Sequence, residues 1–139
     1  MIANRRASAS VVGENDAAIA FLDIRPINPG HTLVVPKGHA AGLADLKPRA
    51  GGKMFELAQG VAAALRASGL PCEGVNFHLA DGAAAGQEVF HVHLHVFPRV
   101  SGDGVGLRFG PRYGTMAPRE ELEQTADRIR KAIPSAGRK

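Results

Sequence analysis

The chain has little cysteine and little aromatic side chain: one Cys, no Trp and one Tyr among 139 residues. A lone thiol, Cys72, cannot close an internal disulfide or supply a cysteine-based zinc cluster. With aromatic residues at 5%, the core must rest on Val, Leu, Ile, Ala and six Phe. No stretch approaches the roughly 20 apolar residues that cross a bilayer. Nor is there a run of five or more Lys or Arg of the kind that marks a nucleic-acid patch. Membrane and nucleic-acid roles are therefore not expected. The first ten residues carry Arg5 and Arg6 but no apolar segment of a secretory signal. Together with the single thiol, this points to a reducing cytoplasm.

What is present suits one domain. Apolar residues reach 45% and charged residues 22%, ordinary values for a globular chain. Residues 1–10 are small, polar and basic and are expected to lack fixed structure, leaving 11–139 as a single domain. The formal net charge of +4 favours anionic ligands.

Residues 17–22 and Thr32 to Val35 read as strands, the second halted by Pro36. Met54, Leu57, Ala58, Val61 and Leu65 recur at helical spacing over 53–67, and Gly69 offers a stop. Residues 74–79 read as a strand ending in the turn Asp81-Gly82. Residues 89–97 give the clearest strand, closed by Pro98. A glycine-rich connection over 102–114 leads to a helix opened by Pro118, with Leu122, Ala126, Ile129 and Ile133 on one face. This order implies an α+β fold: an antiparallel sheet with one long helix and one C-terminal helix.

Half of the six histidines fall within five residues, His91-Val92-His93-Leu94-His95. On an extended strand, residues two apart lie about 6.6 Å apart on the same side. Phe90, Val92, Leu94 and Val96 would then face a core while His91, His93 and His95 share the other face. Packing alone does not call for three imidazoles there. A metal could use two of them with His39 or His78. A nucleophilic histidine needs no metal, because neutral imidazole offers its lone pair near neutrality and can split one hard displacement into two steps.

The segment His91-Val92-His93-Leu94-His95-Val96-Phe97 resembles the signature of the histidine triad (HIT) family. The resemblance continues through Ala85-Gly86-Gln87-Glu88-Val89-Phe90 before it and Pro98-Arg99 after it. A second block is also similar: Phe21-Leu22-Asp23-Ile24-Arg25-Pro26, Asn28-Pro29-Gly30-His31 and Val34-Val35-Pro36-Lys37-Gly38-His39. The resemblance implies a homodimer whose sheet extends across both protomers, and a purine nucleotide of AMP type as ligand. It implies His93 as nucleophile and His95 as the group that hydrogen-bonds the α-phosphate and handles the leaving-group proton. His91 and His39 would support the site, Gln87 would contact the phosphate chain, Asp23 the ribose, and Phe21 and Ile24 the nucleoside.

The function this implies is a hydrolase of nucleoside phosphoramidates or related adenylated compounds, without a cofactor. A dinucleoside polyphosphate hydrolase, a nucleotidyl transferase and a non-enzymatic nucleotide-binding regulator are the alternatives. Many relatives carry Cys-x-x-Cys near the N-terminus within a zinc site; its lack here leads us to expect no zinc. Glu88 stands where some branches place Ser or Thr, and Ala80 where relatives often have Asn. His31 reads as a loop histidine, His78 as structural, and Lys37 and Arg99 as solvated.

Overall fold

Short runs of β-branched and small apolar residues, each broken by a turn, fold as five strands. They are β1 (Val11–Glu14), β2 (Ala18–Leu22), β3 (Thr32–Pro36), β4 (Gly74–His78) and β5 (Leu94–Arg99). All neighbours are antiparallel, in the order β1-β2-β3-β5-β4. The long helix α1 (Pro48–Ala67) connects β3 to β4. This is the α+β architecture expected. The computed structural model describes residues 9–134, and they form two compact units divided after Val105. Most of the segment expected to lack fixed structure, residues 1–8, lies outside the described residues.

One face of the sheet packs on α1. Met54, Ala58, Val61 and Leu65 of the helix are buried against Ala18, Ala20, Val34, Leu94 and Val96. The opposite face buries Ile19, Phe21, Leu33 and Val35. Because β2 and β3 are covered on both sides, their sequences run apolar without alternation. α1 begins five residues earlier than its apolar spacing suggests. Pro48 opens its first turn, where no N–H is missed, and Gly51 and Gly52 continue the helix at an entropic cost.

The histidine-rich strand is shorter than the sequence suggests and shifted along the chain. It starts at Leu94 rather than at Val89 and runs through Pro98 to Arg99. Its pairing with β3 ends at Val34↔Leu94. Beyond that point Pro36 has no N–H to offer, and its carbonyl is taken by the His91 ring at 3.2 Å. Phe90, expected in the core, is 53% exposed. Pro98 is tolerated because pairing with β3 stops at Thr32↔Val96; the Pro98 carbonyl is met instead by the Asn28 side chain, and no ladder donor is lost.

The second unit, from Gly106, contains α2 (Arg119–Ala132), directly after Pro118. Glu120 and Glu121 lie in its first turn and Arg130 and Lys131 in its last, charges that complement the helix dipole. Asp127 pairs with Lys131 at 2.8 Å.

Gly30 and Gly52 make opposite demands on a methyl group. Gly30 has φ +102°, and an added Cβ would lie 2.8 Å from the Leu65 side chain. At Gly52 an added Cβ meets nothing within 4 Å. Gly30→Ala should therefore destabilise by about 1–3 kcal/mol, and Gly52→Ala should stabilise by about 0.5–1 kcal/mol. Urea midpoints of the two variants check this; shifts of the same sign would contradict the placement of α1 over the β2–β3 loop.

Candidate active site

The site lies on the sheet face opposite α1. His95 sits in β5 opposite Leu33 of β3 and His78 of β4. Directly opposed residues of an antiparallel pair share a face, so all three project to the same side. His95 is the hub of an imidazole cluster. Its ring centroid is 5.0 Å from that of His93, 5.1 Å from His31 and 5.8 Å from His78.

Backbone groups fix where the protons sit. The Ile27 N–H donates to His31 Nδ1 at 3.0 Å, so the proton of neutral His31 must be on Nε2. That N–H lies 2.9 Å from His95 Nδ1 and donates to it. His95 therefore keeps its own proton on Nε2. His93 Nδ1 lies 2.8 Å from the His91 carbonyl, which can only accept. His93 Nε2 is thus left with a free lone pair. A ring nitrogen with an open lone pair and a hydrogen-bond donor stand on adjacent rings.

His91 departs from the expected row. It is buried at 1% exposure, with Nε2 donating to the Pro36 carbonyl. Its Nδ1 accepts from His39 Nδ1 at 3.1 Å. The structure thus joins His93 to His95 and, separately, His91 to His39; the first pair is linked to the second through the His91 backbone. The full register of three rings on one face does not form, because the chain before Leu94 has left the ladder.

Asp23 follows β2. Its Oδ1 accepts from the Arg25 N–H, and its Oδ2 lies 3.7 Å from His31 Nε2. Ile24 is 81% exposed beside it, while Phe21 is buried at 8%. Gln87 is buried, its amide donating to the Ala41 and Val89 carbonyls and its oxygen accepting from the Gly82 N–H. In this arrangement Gln87 ties down the loop before the histidines. Arg99 is not a solvated cation: it makes a paired contact with both Asp103 oxygens at 2.7 and 2.9 Å. This pairing holds the Asp103 carboxyl well below the usual carboxylate range. Lys37 is bound to Glu14 at 2.6 Å.

Sequence reasoning undervalued His31 and His78. His31 is 2% exposed and directs the His95 tautomer. The signal was its place in Asn28-Pro29-Gly30-His31, just before β3. His78 reaches His95 only through the β4–β5 register, which the sequence alone does not supply.

Ligand atoms of Asp23, His31 and His95 all lie within 4.8 Å of one another, a spacing a divalent cation could occupy. A cation on His31 Nε2 would have to displace the proton held there by the Ile27 N–H. The donor set therefore favours a proton between the rings.

Residues 4–102 match the HIT domain family, and the chain belongs to that family. It is 40% identical over 110 residues to an uncharacterized HIT-like protein of Borreliella burgdorferi, covering 78% of this chain and 79% of that protein. The fold is similar to the crystal structure of a HIT family protein from Bacillus anthracis. That match has TM-score 0.86 and 30% identity, and covers 96% of each chain. A Zn-bound histidine triad family protein from Mycobacterium smegmatis is 39% identical with TM-score 0.70, over 95% of this chain and 94% of that one.

Burial keeps the central rings neutral. Burial first, then charge on His93, His31 and His78, pushes His95 down to about 4, against an opposing pull from Asp23. Burial also lowers His31 and His91. Once unfolded, these rings bind protons more readily, so stability rises with pH where the two states differ. The contribution is complete above the ordinary histidine value near 6.5 and is lost as pH falls towards about 4 for His95. The melting temperature should thus drop steadily from pH 7 to pH 5. A flat or rising melting temperature across that interval would rule out neutral burial of these rings.

Proposed function

We propose that the chain is a nucleotide-binding hydrolase that cleaves nucleoside phosphoramidates or related adenylated compounds through a covalent nucleotidyl-His93. The observation that carries this reading is the bond from His93 Nδ1 to the His91 carbonyl at 2.8 Å. It leaves Nε2 unprotonated and aimed away from its own backbone, beside the donor ring of His95.

In the first step His93 Nε2 attacks phosphorus. A P–Nε2 bond forms and the bond to the leaving group breaks. His95 Nε2–H donates to a phosphoryl oxygen, and the amine departs with a proton taken from solvent. In the second step water attacks the nucleotidyl-His93, loses a proton to solvent and releases the nucleotide from the His93 ring. Two displacements replace one difficult hydrolysis. Neutral His95 offers the phosphoryl oxygen a hydrogen bond without adding a fixed positive charge.

The nucleoside would lie over the β2–β3 side. Asp23 retains lone pairs for ribose hydroxyls beyond those used by Arg25, and Ile24 offers exposed apolar surface to a purine. His91 and His39 hold the backbone carbonyl that orients His93. Gln87 would act by fixing the loop at the phosphate end. The proposed assembly is a homodimer whose sheet continues across the two protomers, and the proposed location is the cytoplasm. The proposed chemistry uses no metal.

His93→Ala should lower kcat by several orders of magnitude while AMP affinity, read by calorimetry, changes by less than about tenfold. Wild-type protein quenched in acid-free denaturant during turnover should carry a nucleotidyl group on His93, detectable by mass. Normal turnover by His93→Ala would remove the nucleophile from this residue. Tight AMP binding with negligible turnover in the wild type would instead favour a regulatory nucleotide-binding module.

A further inference from the structure

We infer that His78 extends the phosphate site across β4 and adds a contact for those adenylated substrates whose leaving group carries a phosphoryl group, a contact that the amine of a phosphoramidate does not use. The inference rests on the reading above, which places the α-phosphate over His93 and His95.

His78 lies on β4 directly opposite His95, with ring centroids 5.8 Å apart. It is exposed. The rings of His31, His91, His93 and His95 each spend at least one nitrogen on a protein hydrogen bond. Among the described residues His78 makes only its ring contact with His95, so its nitrogens are available to a ligand. With the α-phosphoryl oxygen on His95 Nε2–H, a free ring 5.8 Å away stands where the next phosphoryl group of a chain can meet its N–H.

Sheet order sets the direction. Asp23 and His31, at the ribose end, flank β5 from the β2–β3 side, and β4 lies on the other side of β5. A phosphate chain leading away from the ribose across His95 therefore passes over β4, where His78 stands. Ala80, two residues further along, offers no polar group, and Asn76, two residues back, is tied to Arg99 through its oxygen; His78 is the donor that stands directly opposite His95. An imidazole keeps at least one N–H in either protonation state. A neutral amine leaving group gives that N–H no oxygen to bind.

The experiment compares wild type, His78→Ala and His78→Asn, the last retaining an N–H donor. kcat/KM is measured for diadenosine triphosphate and for adenosine phosphoramidate, and affinities for ADP and AMP by calorimetry. His78→Ala should lose roughly tenfold on the triphosphate, the worth of one hydrogen bond, and less than twofold on the phosphoramidate. The ADP-over-AMP preference should fall by a similar factor, and His78→Asn should recover part of both losses. Equal losses on the two substrates, or none on either, would overturn the role of His78. Formation of nucleotidyl-His93 from the phosphoramidate is followed in every variant. Its absence from the wild type would count against His93, while the ADP and AMP affinities would still decide on His78.

Discussion

The chemistry of this site depends on one backbone donor. The Ile27 N–H fills the lone pair of His31 Nδ1, and the proton positions of His31 and His95 follow from it. His31 must then donate from Nε2, His95 must accept at Nδ1, and the His95 proton must sit on Nε2. An amide N–H cannot exchange roles as a hydroxyl can, so the tautomer is held by a group that never titrates. On the other side, the His91 carbonyl does the same for His93. A donor from one loop and an acceptor from the approach to β5 thus give two chemically identical rings opposite roles.

The donor is only as well placed as the turn that presents it. The Asn28 carbonyl accepts from the His31 N–H, and the Asn28 amide reaches both the Pro98 carbonyl and Asp103. Asp103 is in turn held by Arg99 through paired contacts. Arg99 also binds Asn76 and the Val105 carbonyl, so a single guanidinium joins β4, the end of β5 and the residues after it. A planar fork suits this task better than a flexible ammonium. The β2–β3 loop is therefore anchored to the strand that carries His95, which limits relative movement of Asp23, His31 and His95.

Strands, long helix and C-terminal helix were legible because each obeys a local rule: β-branched runs, helical spacing of Met54 to Leu65, and Pro118 before an apolar stripe. The family was legible from two separated blocks of residues. The fate of His91 was not. Strict alternation suggested a solvent-side ring, but alternation holds only while a ladder exists. The ladder ends where Pro36 cannot donate and His91 finds its carbonyl more useful than a place on the face. His31 and His78 were hidden for a related reason. Their importance comes from register across strands distant in sequence, and no local pattern encodes which residue will stand opposite His95.

The same crowding that brings the imidazoles together limits what charge they can carry. His95 is surrounded by three other rings, and each would repel a second proton on the cluster, adding to the cost of burial. In the proposed reaction a neutral His95 would hold the phosphoryl group through its N–H rather than by charge, so its hold would depend on direction more than on proximity. That suits a reaction in which the group must be gripped, transferred to nitrogen and released. A strongly cationic pocket would bind the nucleotide product as tightly as the transition state, and uniform binding of that kind does not raise turnover. Burial of His95, unfavourable for stability at low pH, is on this view the feature that lets the site release what it has cleaved.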